Sequence, residues 1–213
     1  MMLYHVFTKS IARFVTFNND VEFQRMVDTL KYYRVEKTAM SFSDFLRLKE
    51  DEQKAIADVH KNRVPEPKYI EIAAFCIMPT HIHLLLKELK KGAISTYMSN
   101  TLNSYTRYFN RKHGRKGPLW QGRSKKKRVA TDEILLHLTR YLHLNPVTAH
   151  LVDKPEDWKY SSYAEYTGGN RNIDRLCAYR KHIYMDTPSY RLFVESQIDY
   201  QRQLALVQKL TFD

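Results

Sequence analysis

The spacing of apolar residues along the chain changes between a period of two, typical of strands, and a period of three to four, typical of helices. Apolar segments with strand character occur at residues 3–8, 69–78, 81–87 and 119–129, the last of them strongly basic. Pro79 and Thr80 lie between the second and third segments and favour a tight turn. The pattern therefore predicts a sheet with a hairpin at its middle.

Helical spacing predicts helices over residues 20–34 and 93–111, and a third helix that begins after Thr131. Thr131 is a typical N-cap, and two acidic residues follow it in the first turn, where their charges complement the helix dipole. Pro146 disfavours helical geometry in the residue before it, so we expect this helix to end near Asn145.

The predicted order of elements is β-α-β-β-α-β-α, which indicates an α+β fold with an antiparallel sheet of the split βαβ kind, backed by helices. We predict one domain over residues 1–166, with a polar, partly helical insertion at about 35–68. A C-terminal extension follows over 167–213, and helical spacing predicts a helix within it over 190–210.

The chain has 213 residues, of which 43% are hydrophobic, and this composition excludes disordered and fibrous classes of protein. Two cysteines, Cys76 and Cys177, are too few for a disulfide framework, so we expect a reducing compartment. The N-terminal segment has no apolar run of signal-peptide length, and the longest apolar run, 72–78, is too short to span a bilayer. We therefore expect a soluble, cytoplasmic protein with no membrane partner.

Charge is distributed unevenly along the chain. The formal net charge is +12, and residues 90–130 contain twelve Lys and Arg residues but no Asp or Glu, which accounts for the whole excess. Aromatic side chains lie among these cations, a mixture that suits neutralisation of a nucleic-acid backbone together with stacking on its bases. A solvated basic face is the ordinary alternative. The candidate DNA-binding residues are Arg107, Arg111, Lys112, Arg115, Lys116, Trp120, Arg123, Lys125, Lys126 and Lys127.

His81 and His83 are separated by one residue on the predicted third strand, so both imidazoles point to the same face of the sheet. Two such imidazoles can share a divalent metal ion, although cross-strand packing and surface positions are commoner roles for a pair of this kind. The amide oxygen of Asn145 is a hard ligand that could complete a site for Mg²⁺ or Mn²⁺ and leave positions for phosphate oxygens.

Tyr141 lies four residues before Asn145 on the predicted last helix, so the two side chains project from one face of that helix about one turn apart. Tyr141 would then lie beside a metal-bound phosphate. Packing is the ordinary role of a tyrosine in a chain with 15 of them, and an asparagine before a proline is a common helix end. Of the other histidines, we interpret His137 as a packing or phosphate-contacting residue and His113 as a residue that faces DNA.

Several motifs occur in a fixed order along the first three quarters of the chain. They are YHVFTK at 4–9, MPTHIHLLL at 78–86, NRKHGRKGPLWQGRSK at 110–125, RYLHLNPV at 140–147 and DWKYSSY at 157–163. Together they resemble the HUH (histidine, hydrophobic, histidine) single-strand tyrosine transposases, especially the REP-associated branch. In one place the chain departs from the family pattern, because Arg123 is followed by Ser124 and a lysine run where the family often has Arg-Phe.

The resemblance implies a ferredoxin-like core in which His81, His83 and Asn145 bind one Mg²⁺ or Mn²⁺ ion. It also implies that Tyr141 is the nucleophile, which cleaves and rejoins DNA through a 5′-phosphotyrosine intermediate and a free 3′-hydroxyl. The implied partner is single-stranded or hairpin DNA of the REP type. The insertion-sequence members of this family are obligate dimers, whereas REP-associated relatives can be monomers. The resemblance therefore allows either a homodimer or a monomer.

Other functions agree less well with these motifs. A catalytically silent DNA-binding protein or repressor derived from a transposase is the nearest alternative, and the intact set of tyrosine, histidines and asparagine argues against it. An RNA-binding module would also be basic and aromatic, but it would need neither the histidine pair nor Tyr141 with Asn145. A zinc-dependent hydrolase is disfavoured, because the sequence has no HEXXH motif and no paired carboxylates near His81.

Overall fold

The computed structural model describes residues 2–35, 38, 40–62, 69–169, 176–178 and 182–204, and for 57–62 it describes the backbone only. Within these residues the strands are β1 (Met2–Lys9), β2 (Ile70–Met78), β3 (His81–Glu88) and β4 (Lys125–Val129). The α-helices are α1 (Asp20–Tyr32), α2 (Phe42–Phe45), α3 (Glu50–Asn62), α4 (Ala93–Lys112), α5 (Asp132–Thr148), α6 (Tyr163–Tyr166) and α7 (Thr187–Glu195). This succession of elements confirms the predicted α+β fold.

The strands form one antiparallel sheet in the order β2-β3-β1-β4. Strands β1 and β2 run parallel to each other with β3 between them, which is the split βαβ arrangement. The register pairs Phe7 of β1 with His83 on one side and with Lys125 on the other. The first strand therefore connects the histidine strand to the basic edge strand.

Strand β2 lies at an edge of the sheet, although its apolar sequence predicts a position at the middle. Its outer backbone groups are nevertheless bonded: Ile77 donates its N–H to the Tyr160 carbonyl at 2.9 Å, and Phe75 accepts from the Ser162 N–H at 2.9 Å. The Ala178 N–H donates to Ile72 at the same distance. Because later parts of the chain cover this edge, the strand is buried as completely as a central one.

Helices cover both faces of the sheet. Helices α1 and α4 cover one face and form a first core, which contains Leu30, Tyr105 and Leu84. Helix α5 covers the opposite face, where Leu142 and Leu85 belong to a second core. Strand alternation places the odd-numbered residues of β3, and so its two histidines, on the α5 face.

The edge strand β4 is shorter than the segment 119–129 that the sequence predicts. Leu119 and Trp120 are buried, and Trp120 makes only an isolated bridge with Ser10. Gly122 has a φ of +149°, so the chain leaves the extended conformation before β4 begins. Residues 119–121 still pair with the end of β1, because the Ile11 N–H donates to the Leu119 carbonyl at 3.0 Å and the Gln121 N–H donates to the Lys9 carbonyl at 2.9 Å. The break at Gly122 separates this short pairing from β4.

Helix α5 continues beyond Asn145, where the sequence predicts its end, and includes Pro146. Leu144 and Val147 are each 1% exposed, so packing in the second core outweighs the local preference before a proline. The helix ends in a Schellman motif, in which the Leu151 N–H donates to the Pro146 carbonyl at 2.9 Å and His150 adopts a φ of +55°.

The C-terminal part of the chain contributes to the second core. Tyr190 and Val194 of α7 are buried there. The helix predicted over 190–210 is interrupted at 196–197 and resumes over 198–204, and its remainder lies outside the described residues. In the part of the chain that the structure describes, no helix has the length and apolar character needed to cross a membrane.

Candidate active site

The histidine pair of β3 and the tyrosine of α5 meet on one face of the sheet. The ring centroids of His81 and His83 are 5.0 Å apart, and those of His83 and Tyr141 are 5.6 Å apart. Both pairs have nearly perpendicular ring planes. His81 and His83 share a face because they are two residues apart on β3, and helix α5 packs over that face with Tyr141. Three of the predicted site residues therefore lie together.

Each imidazole of the pair is held through its Nδ1 atom. The hydroxyl of Thr80 lies 3.0 Å from His81 Nδ1, and His5 Nε2 lies 3.0 Å from His83 Nδ1. Among the described residues, neither Nε2 atom of the pair has a hydrogen-bond partner. Metal-binding histidines in proteins typically use one ring nitrogen for the metal and the other for such a supporting contact.

His5 is a member of this site that the sequence analysis did not identify. It lies on β1, and its ring stacks on His83 with a centroid distance of 5.2 Å. The sequence did carry a signal for His5, because this residue lies in the YHVFTK motif at an odd-numbered position of β1. Sequence spacing alone cannot pair residue 5 with residue 83, because the contact depends on which strands are neighbours.

The histidines are held in their neutral form. Burial and the charge of Lys9 lower the pKa of His81 to about 4. Burial, the two neighbouring imidazoles and Lys9 lower the pKa of His83 to about 3. Burial and the charge of Lys127 lower the pKa of His5 as well. Neutral imidazoles keep a nitrogen lone pair, which is the form that binds a metal ion.

Tyr141 is accessible to a substrate, because 42% of its surface is exposed. Burial of the remainder raises the pKa of its hydroxyl, and the amide of Asn145 acts in the opposite direction. The hydroxyl is therefore protonated near neutral pH and must lose its proton during an attack. Tyr141 is the one exposed large side chain among the rings that meet at the site.

Asn145 has the unsatisfied group expected at a ligand site. Its Nδ2 atom is buried and makes no close hydrogen bond within the described residues, although the amide lies near enough to the Tyr141 hydroxyl to lower its pKa. Leaving a buried polar group unpaired costs about 1–3 kcal/mol, and the two ends of an amide exchange places by a simple rotation. A rotation of the amide would place its oxygen, which can bind a cation, where Nδ2 now lies.

The donor set predicted from the sequence suits a hard or borderline divalent ion. It consists of two neutral imidazole nitrogens from His81 and His83 and one amide oxygen from Asn145. Among the described residues, no group of three or more His, Cys, Asp or Glu side chains is arranged to hold a metal ion. A site here would consequently depend on the asparagine as its third ligand.

A buried hydrogen-bond network holds α5, which carries Tyr141, against the rest of the protein. His143 Nε2 lies 2.7 Å from the Ser162 hydroxyl, and His143 Nδ1 lies 2.8 Å from the Tyr190 hydroxyl. The Phe75 N–H donates to the Ser162 hydroxyl at 3.0 Å. The network explains part of the DWKYSSY motif. It also connects α5 to α7, and the sequence analysis did not predict this connection.

Strand alternation separates the lysines of β4 between the two faces of the sheet. Lys125 and Lys127 pair with Phe7 and His5 and share their face, which is the face of the histidine pair. Lys126 points to the opposite face, where its ammonium group lies 5.0 Å from the Tyr4 ring centroid. All three side chains are exposed.

The other predicted DNA-binding cations have different surroundings. Arg107, Arg111, Lys116 and Arg123 are exposed. Arg115 donates to the carbonyl of Pro118 at 2.8 Å, which holds the loop after α4 in place.

Lys112 and His113 are engaged within the protein. Lys112 donates to the buried carboxylate of Glu22 at 2.8 Å, and His113 Nε2 lies 2.6 Å from the same oxygen. The expectation that His113 faces DNA is corrected by this contact with α1. Because the Glu22 carboxylate neutralises its ammonium group, Lys112 offers less positive charge to DNA than its place in the basic segment predicts.

The expectation that Trp120 stacks on bases is also corrected. Its ring is 9% exposed, and its indole N–H donates to the Leu102 carbonyl at 3.3 Å. Tyr97, Tyr105 and Phe109, which lie among the cations in the sequence, are buried as well. Their spacing reflects the apolar face of α4, so packing in the first core accounts for these aromatic residues.

Comparison with known proteins identifies the family of this chain. Residues 46–145 match the family described as Transposase IS200 like, and the matched range contains His81, His83, Tyr141 and Asn145. A REP-associated tyrosine transposase of Haemophilus influenzae is 30% identical over 122 residues, which cover 48% of this chain and 69% of that protein. The chain belongs to this family of tyrosine transposases.

The fold of this transposase is also found among solved structures. The structure of a REP-associated tyrosine transposase bound to a REP hairpin matches it with a TM-score of 0.50 and 15% sequence identity, covering 87% of each chain. At this identity the match concerns the fold. The helical extension after α5 of the transposase lies beyond the range of the family match.

Proposed function

We propose that this transposase cleaves and rejoins single-stranded DNA through a covalent 5′-phosphotyrosine intermediate on Tyr141. The observation that carries the proposal is the meeting of an exposed Tyr141 with His81 and His83 on one face of the sheet. The family membership supports the class of reaction.

The proposed step conserves the phosphodiester. The hydroxyl oxygen of Tyr141 attacks the phosphorus, a bond between tyrosine and phosphate forms, and the bond from phosphorus to the 3′-oxygen breaks. The proton that leaves Tyr141 is matched by one that the 3′-oxygen gains, so a free 3′-hydroxyl results. The reverse reaction on another 3′-end rejoins the strand without a nucleotide cofactor.

His81, His83 and Asn145 would hold a divalent ion beside Tyr141, and we propose Mg²⁺ or Mn²⁺. Transposases of this family generally depend on a metal ion. When bound, the ion would withdraw charge from the scissile phosphate and make its phosphorus more electrophilic. His5 and Thr80 orient the two imidazoles through their Nδ1 atoms, and the buried His143 network fixes the helix of the nucleophile.

We propose that the DNA partner includes a hairpin of the REP type, the kind of DNA bound to the transposase of the similar solved structure. Lys125 and Lys127 project from the edge of the face that carries the histidines. They are placed to neutralise backbone phosphates of a single strand that enters the site.

Denaturing electrophoresis tests the proposed function. The protein is incubated with Mn²⁺ and a hairpin oligonucleotide labelled at its 3′ end, because the 3′ side of the cleavage point remains attached to the enzyme. We expect a labelled adduct with the wild type and none with Tyr141→Phe, with DNA binding unchanged. A transposase-derived DNA-binding protein without activity would bind the same DNA and give no adduct in either case.

A further inference from the structure

A second site of concentrated positive charge lies on the opposite face of the sheet from the histidine pair. An open cavity of about 520 Å³ lies on the surface between α1, α4 and the segment around α2. Its lining includes Arg25, Arg47, Arg107, Arg111, Lys112 and Ser43. Helices α1 and α4 cover the first core, whereas Tyr141 and the histidines are on the α5 face.

Only part of this charge is neutralised within the protein. Arg47 pairs with Asp44 at 3.1 Å, and Lys112 pairs with Glu22 at 2.8 Å. Arg107 and Arg111 are exposed on one side of α4, one helical turn apart, and make no ion pair among the described residues. Like charges one turn apart repel each other, so the pair favours an anion between them.

Arg25 is the least expected cation of the cavity, because it is half-buried and makes no ion pair with any described residue. Its guanidinium lies 4.3 Å from the Phe42 ring centroid and 4.8 Å from that of Tyr108. One terminal nitrogen donates to the Ser43 hydroxyl at 2.8 Å, while Nε is buried and has no hydrogen-bond partner in the part of the chain that the structure describes. The nearby Asp28 carboxylate accepts from Gln24 instead.

An arginine fixed between two aromatic rings presents its donors in one orientation. The planar guanidinium suits phosphate oxygens, because two parallel N–H groups can bind two oxygens at once. Burial lowers the pKa of Arg25 through the cost of desolvating its charge, and an anion in the cavity would offset this cost. Arg25, Arg107 and Arg111 together leave three positive charges facing a space large enough for a phosphate group.

We propose that this cavity binds backbone phosphates of the DNA at a point remote from the cut, with Arg25, Arg107 and Arg111 as the principal contacts. The proposal rests on the proposed function for the identity of the ligand as DNA. It also gives a role to the insertion predicted at 35–68, because Ser43 and Arg47 come from that segment. DNA would then contact both faces of the sheet, one for cleavage and one for holding.

Binding in the absence of catalysis tests the cavity separately from the chemistry. In a Tyr141→Phe background with EDTA, the affinity for a hairpin with a single-stranded tail is measured against NaCl concentration. Removing two phosphate contacts with Arg107→Gln and Arg111→Gln should lower the slope of log affinity against log salt by about 1.4 to 1.8. The control variant Lys91→Gln with Lys154→Gln removes the same charge from exposed positions outside the cavity, and its slope should stay near that of the parent.

Two outcomes would overturn the proposal. One is an arginine double variant whose affinity and salt slope equal those of the lysine control. The other is a titration in which inorganic phosphate binds to the parent protein but not to the arginine double variant, while both proteins bind DNA with the same affinity. That result would make the cavity a site for free phosphate. Neither outcome affects covalent adduct formation by the wild type, so failure here is distinct from failure of the proposed function.

Discussion

His5 Nε2 lies 3.0 Å from His83 Nδ1, and this contact joins the first strand of the sheet to the histidine pair. If His83 binds a metal ion through Nε2, its Nδ1 carries the proton and donates a hydrogen bond to His5 Nε2. His5 then holds the ring of His83 in the tautomer and orientation that ligation requires. We regard His5 as a positioning residue rather than a ligand.

Replacing His5 should weaken metal use. In His5→Ala we expect the Mn²⁺ concentration for half-maximal adduct formation to rise about 10- to 100-fold, as is typical when the supporting partner of a ligand is removed. Titration of adduct formation with Mn²⁺ measures this. His150→Asn, in the exposed turn at the C-terminal end of α5, is the control and should titrate like the wild type, because asparagine tolerates the positive φ of this position. An unchanged midpoint in His5→Ala would show that the contact is only packing.

Removing a proposed metal ligand should separate DNA cleavage from DNA binding. His81→Ala should form no adduct at any Mn²⁺ concentration, because the ion loses one of its nitrogen ligands, whereas hairpin affinity should change less than about threefold, since basic side chains dominate binding. Gel electrophoresis of the adduct and a binding titration on the same DNA measure the two quantities. Equal loss of both would mean that His81 maintains the fold rather than the chemistry.

The two faces of β4 should contribute unequally to binding of the scissile strand. Lys125→Ala with Lys127→Ala removes two cations from the histidine face, and we expect the salt slope for a short single-stranded oligonucleotide to fall by about 1.4. Lys126→Ala with Arg128→Ala removes the same charge from the other face and should have a smaller effect. A larger effect from Lys126→Ala with Arg128→Ala would instead place the scissile DNA strand on the face that α1 and α4 cover.

Stability in acid should depend on Glu22. Burial acts to raise the pKa of its carboxyl, but hydrogen bonds from Lys112, Asn18 and His113 lower it to about 2, from an ordinary 4.5. The carboxylate thus stabilises the fold above pH 4.5, and this contribution is lost as the pH falls from about 4.5 to about 2.

Glu22→Gln should therefore be less stable than the wild type at pH 7, by about 1–3 kcal/mol. The difference should shrink as the pH is lowered through the same range. Urea unfolding at a series of pH values measures it. A difference that is the same at pH 7 and pH 2.5 would show that the effect of the substitution does not come from the charge.

Local signals predicted much of this structure. The start of α5 at Thr131, the length of α4 and the shared face of His81 and His83 follow from capping and periodicity, and all three are found. These features depend on residues that are close in sequence. The meeting of Tyr141 with the histidines needed the motif resemblance as well, because packing of α5 on the sheet is a tertiary contact.

The features that the sequence did not predict depend on distant contacts. His5 pairs with His83 only because β1 and β3 are neighbours. Trp120 lies in a basic segment of the sequence but is buried in the first core, where its indole N–H donates to the Leu102 carbonyl. Pro146 remains inside α5 because the second core packs around it.

The identity of the nucleophile is tested most directly by locating the DNA on the protein. After adduct formation with Mn²⁺, nuclease and trypsin digestion should leave a nucleotide on peptide 141–159, or on 129–159 if cleavage after Arg140 is blocked. In both peptides Tyr141 is the sole tyrosine, so mass spectrometry assigns the link without ambiguity. We predict the nucleotide there and on no other peptide. A nucleotide on the peptide that contains Tyr105 or Tyr108 would contradict the proposed active site.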